Sequence, residues 1–144
     1  MHVEHCRFAR LACPYGELPL PYILVVDNDA AVARLVARAL EDTHSCVYVA
    51  SGPSSALAIV QREARSPAIL ISDVHLVTGD GRDLAQRLRH LYPRLPVLLM
   101  SGGFARGEEP ELTSRGPQRF MHKPFEGKQL RMTVSQLLAE RSAV

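Results

Sequence analysis

Three short apolar runs constrain this chain most: Ile23-Leu24-Val25-Val26, Ile69-Leu70-Ile71 and Val97-Leu98-Leu99-Met100, each followed by small or acidic residues. Runs of that length without polar alternation read as strands buried on both faces, the pattern of a parallel sheet. Helical spacing lies between them. Val32, Leu35, Val36, Ala39 and Leu40 fall at i, i+3, i+4, i+7 and i+8, which predicts one apolar face opposite Arg34, Arg38 and Glu41. Leu84, Leu88 and Leu91 repeat the pattern, as do Leu130, Val134, Leu137 and Leu138, while Ser54 to Arg65 makes a weaker helix. Cys46 to Ala50 and Arg119 to His122 are shorter or more polar strands, expected at sheet edges. Right-handed crossovers then give an α/β, flavodoxin-like (βα)5 doubly wound parallel sheet with strand order 2-1-3-4-5. Phe104 to Arg115, with Gly107, Pro110 and three acids, is the least regular stretch and predicts at most a single turn near Pro110.

A chain of 144 residues has room for one core. Residues 1–20 show no periodicity and carry Pro14 and Pro19, so they read as an irregular extension ahead of a domain over 21–144. Three cysteines, Cys6, Cys13 and Cys46, with no CxxC spacing argue against a disulfide framework. His2, His5, Cys6 and Cys13 have zinc-ligand chemistry, but their spacing matches no closed site, and a loose tail is the preferred reading. A formal charge of +2 is too mild for a nucleic-acid binder. No run approaches the roughly 20 apolar residues of a membrane span, and the chain opens on no secretory pattern, so a cytoplasmic location is expected.

In an open α/β sheet, ligands bind outside the carboxyl ends of the strands. Those ends carry Asp27, Asn28 and Asp29, then Asp73, then Ser101, then Lys123 followed by Pro124 and Phe125. Converging carboxylates repel unless a hard divalent cation offsets them, and Mg2+ takes oxygen ligands while retaining waters. Metal, ammonium and hydroxyl together are what a phosphoryl group in transfer requires, and a neighbouring carboxylate is a nucleophile for it.

The stretches ILVVDND at 23–29, ILISDVHLVTGDG at 69–81, LLMSGG at 98–103 and FMHKPF at 120–125 resemble the receiver domains of bacterial response regulators and hybrid histidine kinases, over Tyr22 to about Leu138. The resemblance implies that Asp73 is the phospho-acceptor. It implies that Asp27, Asn28, Asp73 and the backbone carbonyl of His75 hold Mg2+, that Ser101 follows the phosphoryl group, and that Lys123 is its counter-ion. Phe120 falls at an aromatic switch position shared with Ser101, although plain core packing explains it equally. Lys123-Pro124 would be a cis peptide bond. The partners implied are a histidine kinase or phosphotransfer protein and a downstream protein, with no nucleic acid and no membrane. Such a chain is a signalling phospho-acceptor and not an enzyme in its own right. With nothing beyond Leu138 long enough for an output domain, the signal is expected to leave through a protein partner or a parent chain.

Asn28 stands at the second acidic position and brings an amide oxygen without charge, which predicts weaker metal binding. Val77 stands where the family usually has proline, and His75 and Gly103 occupy positions that tune phosphoryl lifetime in the family. Asp29 has two readings, helix cap or metal-site contributor. Two other functions stay open. One is a receiver-like binding module that is not phosphorylated. The other is a haloacid-dehalogenase-like phosphatase opening on Asp27-Asn28-Asp29, which would lack a downstream acidic pair after Lys123 and leave Asp73 idle.

Overall fold

The structure, a computed structural model, describes residues 3–5, 21–41, 46–103 and 116–142. In chain order the elements are β1 (Val3–His5), β2 (Tyr22–Val26), α1 (Ala30–Ala39), β3 (Cys46–Ala50), α2 (Pro53–Arg62), β4 (Pro67–Asp73), β5 (His75–Leu76), β6 (Gly79–Asp80), α3 (Gly81–Leu91), β7 (Val97–Ser101), β8 (Gln118–His122) and α4 (Gly127–Ser142). Five parallel strands run β3-β2-β4-β7-β8, the expected 2-1-3-4-5 order.

The alternation of side chains along each buried strand divides the core in two. Ile23, Val25, Ile69, Ile71, Leu98 and Met100 face α1 and α4; Tyr22, Leu24, Val26, Leu70, Val97 and Leu99 face α2 and α3. Fully burying one such side chain contributes roughly 1.5–3 kcal/mol, which makes the three apolar runs the foundation of the fold.

Several expectations are corrected. The β3 segment Cys46 to Ala50 is not a free edge: β1 pairs with it antiparallel, so residues 3–5 are a strand and not irregular, and all five residues of β3 are buried. Cys46 is disulfide-bonded, against the expectation from the cysteine count; Cys6 and Cys13 lie outside the described residues. The buried face of α1 is Ala33, Val36, Ala37 and Leu40, whereas Leu35 is 61% exposed. Small alanines let α1 sit close to the sheet, and the apolar stripe is turned by one position from the larger side chains. Leu91 is likewise exposed, and buried Arg89 shares the inner face of α3. Its guanidinium donates to the carbonyls of Leu95 (3.1 Å) and Pro117 (2.6 Å) and to Gln118 Oε1 (3.3 Å), tying α3 to the start of β8. The segment 104–115, where a short fourth helix was expected, lies outside the described residues.

Candidate functional site

Because the five strands are parallel, their carboxyl ends open on one side and bring together residues far apart in sequence. Asp27 follows β2 and is 2% exposed, its amide donating to the Ala50 carbonyl at 3.1 Å. Asp73 ends β4. Lys123, just past β8, donates from Nζ to Asp27 Oδ2 at 2.8 Å and to Asp73 Oδ2 at 3.0 Å. The other oxygen of each carboxylate accepts a backbone amide, Asp29 N–H on Asp27 Oδ1 (2.8 Å) and His75 N–H on Asp73 Oδ1 (3.0 Å). Burial pushes the Lys123 ammonium towards its neutral form, but the hydrogen bonds and charges of Asp27 and Asp73 outweigh it and hold its pKa above the ordinary lysine value.

Ser101 is buried at the end of β7, where its hydroxyl oxygen accepts the Gly103 amide at 2.9 Å. The Ser101 carbonyl accepts the Lys123 amide at 3.1 Å, so β7 helps position the lysine. Lys123-Pro124 is cis, as expected. Phe120 is half-buried, packs on the core beneath α2 and α3, and meets His122 edge-on at 4.9 Å between ring centroids. Asn28 is exposed on the rim.

Asp29 is the N-cap of α1, its Oδ1 accepting the amides of Ala31 (2.9 Å) and Val32 (3.4 Å). That carboxylate oxygen is committed to the helix, which favours the cap reading and removes the second acid of a phosphatase-type opening.

Beyond Asp73 the chain forms a small β5–β6 ribbon that the sequence reading did not anticipate, with Val77 82% exposed at its tip. Gly81 was also missed. A Cβ there would run into the Asp73 carbonyl oxygen and stand 2.8 Å from Ser72 Oγ, so only glycine lets α3 begin against the end of β4. Its signal was a glycine immediately after Asp80, the residue that caps α3. A Cβ at Gly103 would lie 3.2 Å from His75 Nε2, which sets the His75 ring over the same rim as Ser101.

Chemically, the site offers two carboxylates, an amide oxygen and backbone carbonyls, all hard oxygen donors. Among the described residues no three His, Cys, Asp or Glu side chains converge as a metal cage. This donor set fits Mg2+, which is commonly held by one or two carboxylates plus water and phosphate oxygens.

Residues 23–135 match the response regulator receiver domain family, and the chain belongs to that family of two-component signalling proteins. The response regulator protein FleR of Pseudomonas aeruginosa is 37% identical over 113 residues, covering 75% of this chain and 22% of FleR. An uncharacterized 14.6 kDa protein of Leptolyngbya boryana is 35% identical over 118 residues, covering 79% of this chain and 87% of that protein. Among solved structures, NtrX from Brucella abortus superimposes with a TM-score of 0.75 at 28% identity, covering 86% of this chain and 28% of NtrX. The chain spans between 13% and 49% of the length of the first four curated relatives, one of them a sensor kinase and one a methylesterase. Among the described residues no helix is long and apolar enough to cross a membrane.

Proposed function

We propose that this domain takes a phosphoryl group from a histidine kinase or phosphotransfer protein onto Asp73 and thereby switches a protein-binding surface. The observation that carries the reading is the single Lys123 ammonium held between Asp27 and Asp73. Asp73 Oδ attacks phosphorus as the N–P bond of a phosphohistidine breaks, and the imidazole leaves with the electron pair. Lys123 supplies positive charge beside the acceptor and Ser101 a hydroxyl, the elements that stabilise charge on the equatorial oxygens. Asp27, Asp73, Asn28 and the His75 carbonyl would hold Mg2+. When bound, the ion supplies the charge neutralisation that lets an anionic donor approach two carboxylates. Phe120 and Ser101 are proposed to carry the switch to the β7–β8 side of the fold. The location that suits such a donor is the cytoplasm.

A second reading, a receiver-like module that works without phosphorylation, is favoured by one observation: the exposed, uncharged Asn28 at the second acidic position. Intact mass after incubation with acetyl phosphate separates the two. Gain of one phosphoryl group that requires Mg2+ and is abolished by Asp73→Asn is the expected result; an unlabelled but folded wild type selects the second reading. Labelling that survives Asp73→Asn and is lost in Asp27→Asn would instead select a phosphatase-like nucleophile.

A further inference from the structure

Between Asp73 and α3 the β5–β6 ribbon pairs His75 with Asp80 and Leu76 with Gly79, closed by Val77 and Thr78. A two-stranded ribbon of this size is marginal in water by itself, so its position comes from what it leans on. At its base Asp80 caps α3 and accepts the Arg82 guanidinium on Oδ2 at 2.6 Å, and the Gly81 amide donates to the Val74 carbonyl at 2.9 Å. Leu76 is buried in the core beneath α2 and α3. The tip meets the first turn of α2. A Cβ at Gly52 would stand 3.1 Å from the Thr78 hydroxyl oxygen, and one at Gly79 would stand 3.1 Å from Pro53 Cγ. Both distances are tighter than ordinary contact, so the two glycines let ribbon and helix approach closely. Gly52 has an extended backbone, φ −167°, that any residue adopts; what calls for glycine there is space.

The helix side of this contact is stiff. Gly52 is the N-cap of α2, its amide donates to Ser55 Oγ at 3.3 Å, and the Ser55 hydroxyl donates to the Gly52 carbonyl at 3.1 Å. Pro53 opens the helix with a ring that fixes φ.

We propose that Gly52, Pro53 and Thr78 are positioning residues for the acceptor site: the start of α2 braces the ribbon and so fixes the His75 backbone, whose carbonyl is the proposed Mg2+ ligand. This inference rests on the phospho-acceptor reading of Asp73. His75 is the link, because its amide donates to Asp73 Oδ1 at 3.0 Å while its strand position is paired with Asp80 across the ribbon. A ribbon held only at its base could swing and turn that peptide away from Asp73. Held at base and tip, the peptide keeps one orientation before the ion arrives. Contacts that orient a metal ligand from outside the coordination shell typically change metal affinity by about 10–100-fold.

The full chain is compared with Gly52→Ala, Thr78→Ala and the double variant by two readouts. Without Mg2+ or phosphodonor, exchange of the His75 amide is followed by NMR, with the β2 and β4 amides reporting an intact core. With acetyl phosphate, labelling is followed by intact mass across a Mg2+ series. The methyl of Gly52→Ala must push aside a side chain that is stiff at χ1. His75 exchange is therefore expected to rise roughly ten-fold, and the Mg2+ needed for half-maximal labelling by a similar factor. The rate at saturating Mg2+ should stay near wild type, whereas a general loss of fold would lower it. Thr78→Ala withdraws the brace and should shift both readouts the same way. In the double variant one methyl fills the space the threonine leaves, and both readouts should return towards wild type. If Gly52→Ala does not fold, Thr78→Ala decides by the same readouts. Unchanged His75 exchange in the folded single variants, or a double variant no better than the sum of its parts, overturns the brace. A wild type that takes no phosphoryl group overturns the acceptor reading instead, and the exchange measurement then decides the brace by itself.

Discussion

Lys123 and Asp27, 96 positions apart in sequence, meet at 2.8 Å where the first and last parallel strands of the receiver fold end, and the ammonium reaches Asp73 from the same place. Replacing it by an uncharged side chain of similar length isolates what its charge does. Lys123→Met is expected to slow acetyl-phosphate labelling by about 100-fold, the scale of removing one donor to developing charge. Its folded pKa is raised, so its stabilising contribution is complete below the ordinary lysine value near 10.4 and is lost as pH rises through the higher folded value. Urea melts between pH 9 and 12 should therefore show a shallower alkaline loss in Lys123→Met than in wild type.

Asn28 sits exposed on the rim next to the buried Asp27. Asn28→Asp adds a third negative charge, which is expected to tighten Mg2+ about ten-fold, a Coulomb gain of about 1.4 kcal/mol. Without Mg2+ the same charge repels Asp27 and Asp73, so the variant should melt at lower temperature than wild type in EDTA and recover on adding the ion. Calorimetric titration and thermal melts read the two effects separately.

Asp29→Ala tests a carboxylate whose oxygen caps α1. The expected cost is about 1 kcal/mol of stability by denaturant unfolding, with Mg2+ affinity unchanged. A large fall in Mg2+ affinity would make Asp29 a metal-site residue after all.

The Tyr22 hydroxyl is buried with no hydrogen-bond partner among the described residues, and burial, followed by the charges of Tyr92 and Glu63, pushes its pKa far above that of a free phenol. Tyr22→Phe should stabilise the domain by about 1 kcal/mol at pH 7, since it removes an unsatisfied polar atom and keeps the ring. The raised folded pKa means that wild type loses stability as pH climbs above about 10, and the variant should lose less there. Guanidinium melts at pH 7 and pH 11 check both.

Gly81 abuts the end of β4. Gly81→Ala should cost about 1–3 kcal/mol through overpacking and also slow labelling, because the added methyl must displace the Asp73 backbone. Slower labelling with unchanged stability would mean that the backbone yields locally.

Much of the architecture was legible because the three apolar runs are too short for helices and too uniform for half-exposed strands. The five-strand order followed from them, and Asp27, Asp73, Ser101 and Lys123 were placed by lying at strand ends. What stayed hidden depends on size and distance more than on hydropathy. Ala33 and Ala37, rather than Leu35, face the sheet because α1 packs closely against it, a property of the interface that periodicity of large side chains does not carry. Asp29 was ambiguous since capping and metal binding call for the same oxygen. The cysteine count pointed away from a disulfide, although Cys46 is bonded, because an odd number of cysteines without a framework spacing does not say which of them the fold brings together. Gly81 was invisible as a constraint because its obstacle, the Asp73 carbonyl, belongs to a different element.

The placement of Lys123 after the last strand has a consequence for the life of the chain before it is complete. On the ribosome Asp27 and Asp73 emerge long before the lysine that bridges them, and the start of β8 is held to α3 by the Arg89 guanidinium on the Pro117 carbonyl. A nascent or truncated chain thus exposes the acceptor carboxylate without its counter-ion. Reactivity towards a phosphodonor should arrive in one step with the closing of the last strand, so that the chemistry itself reports whether the whole sheet has been assembled.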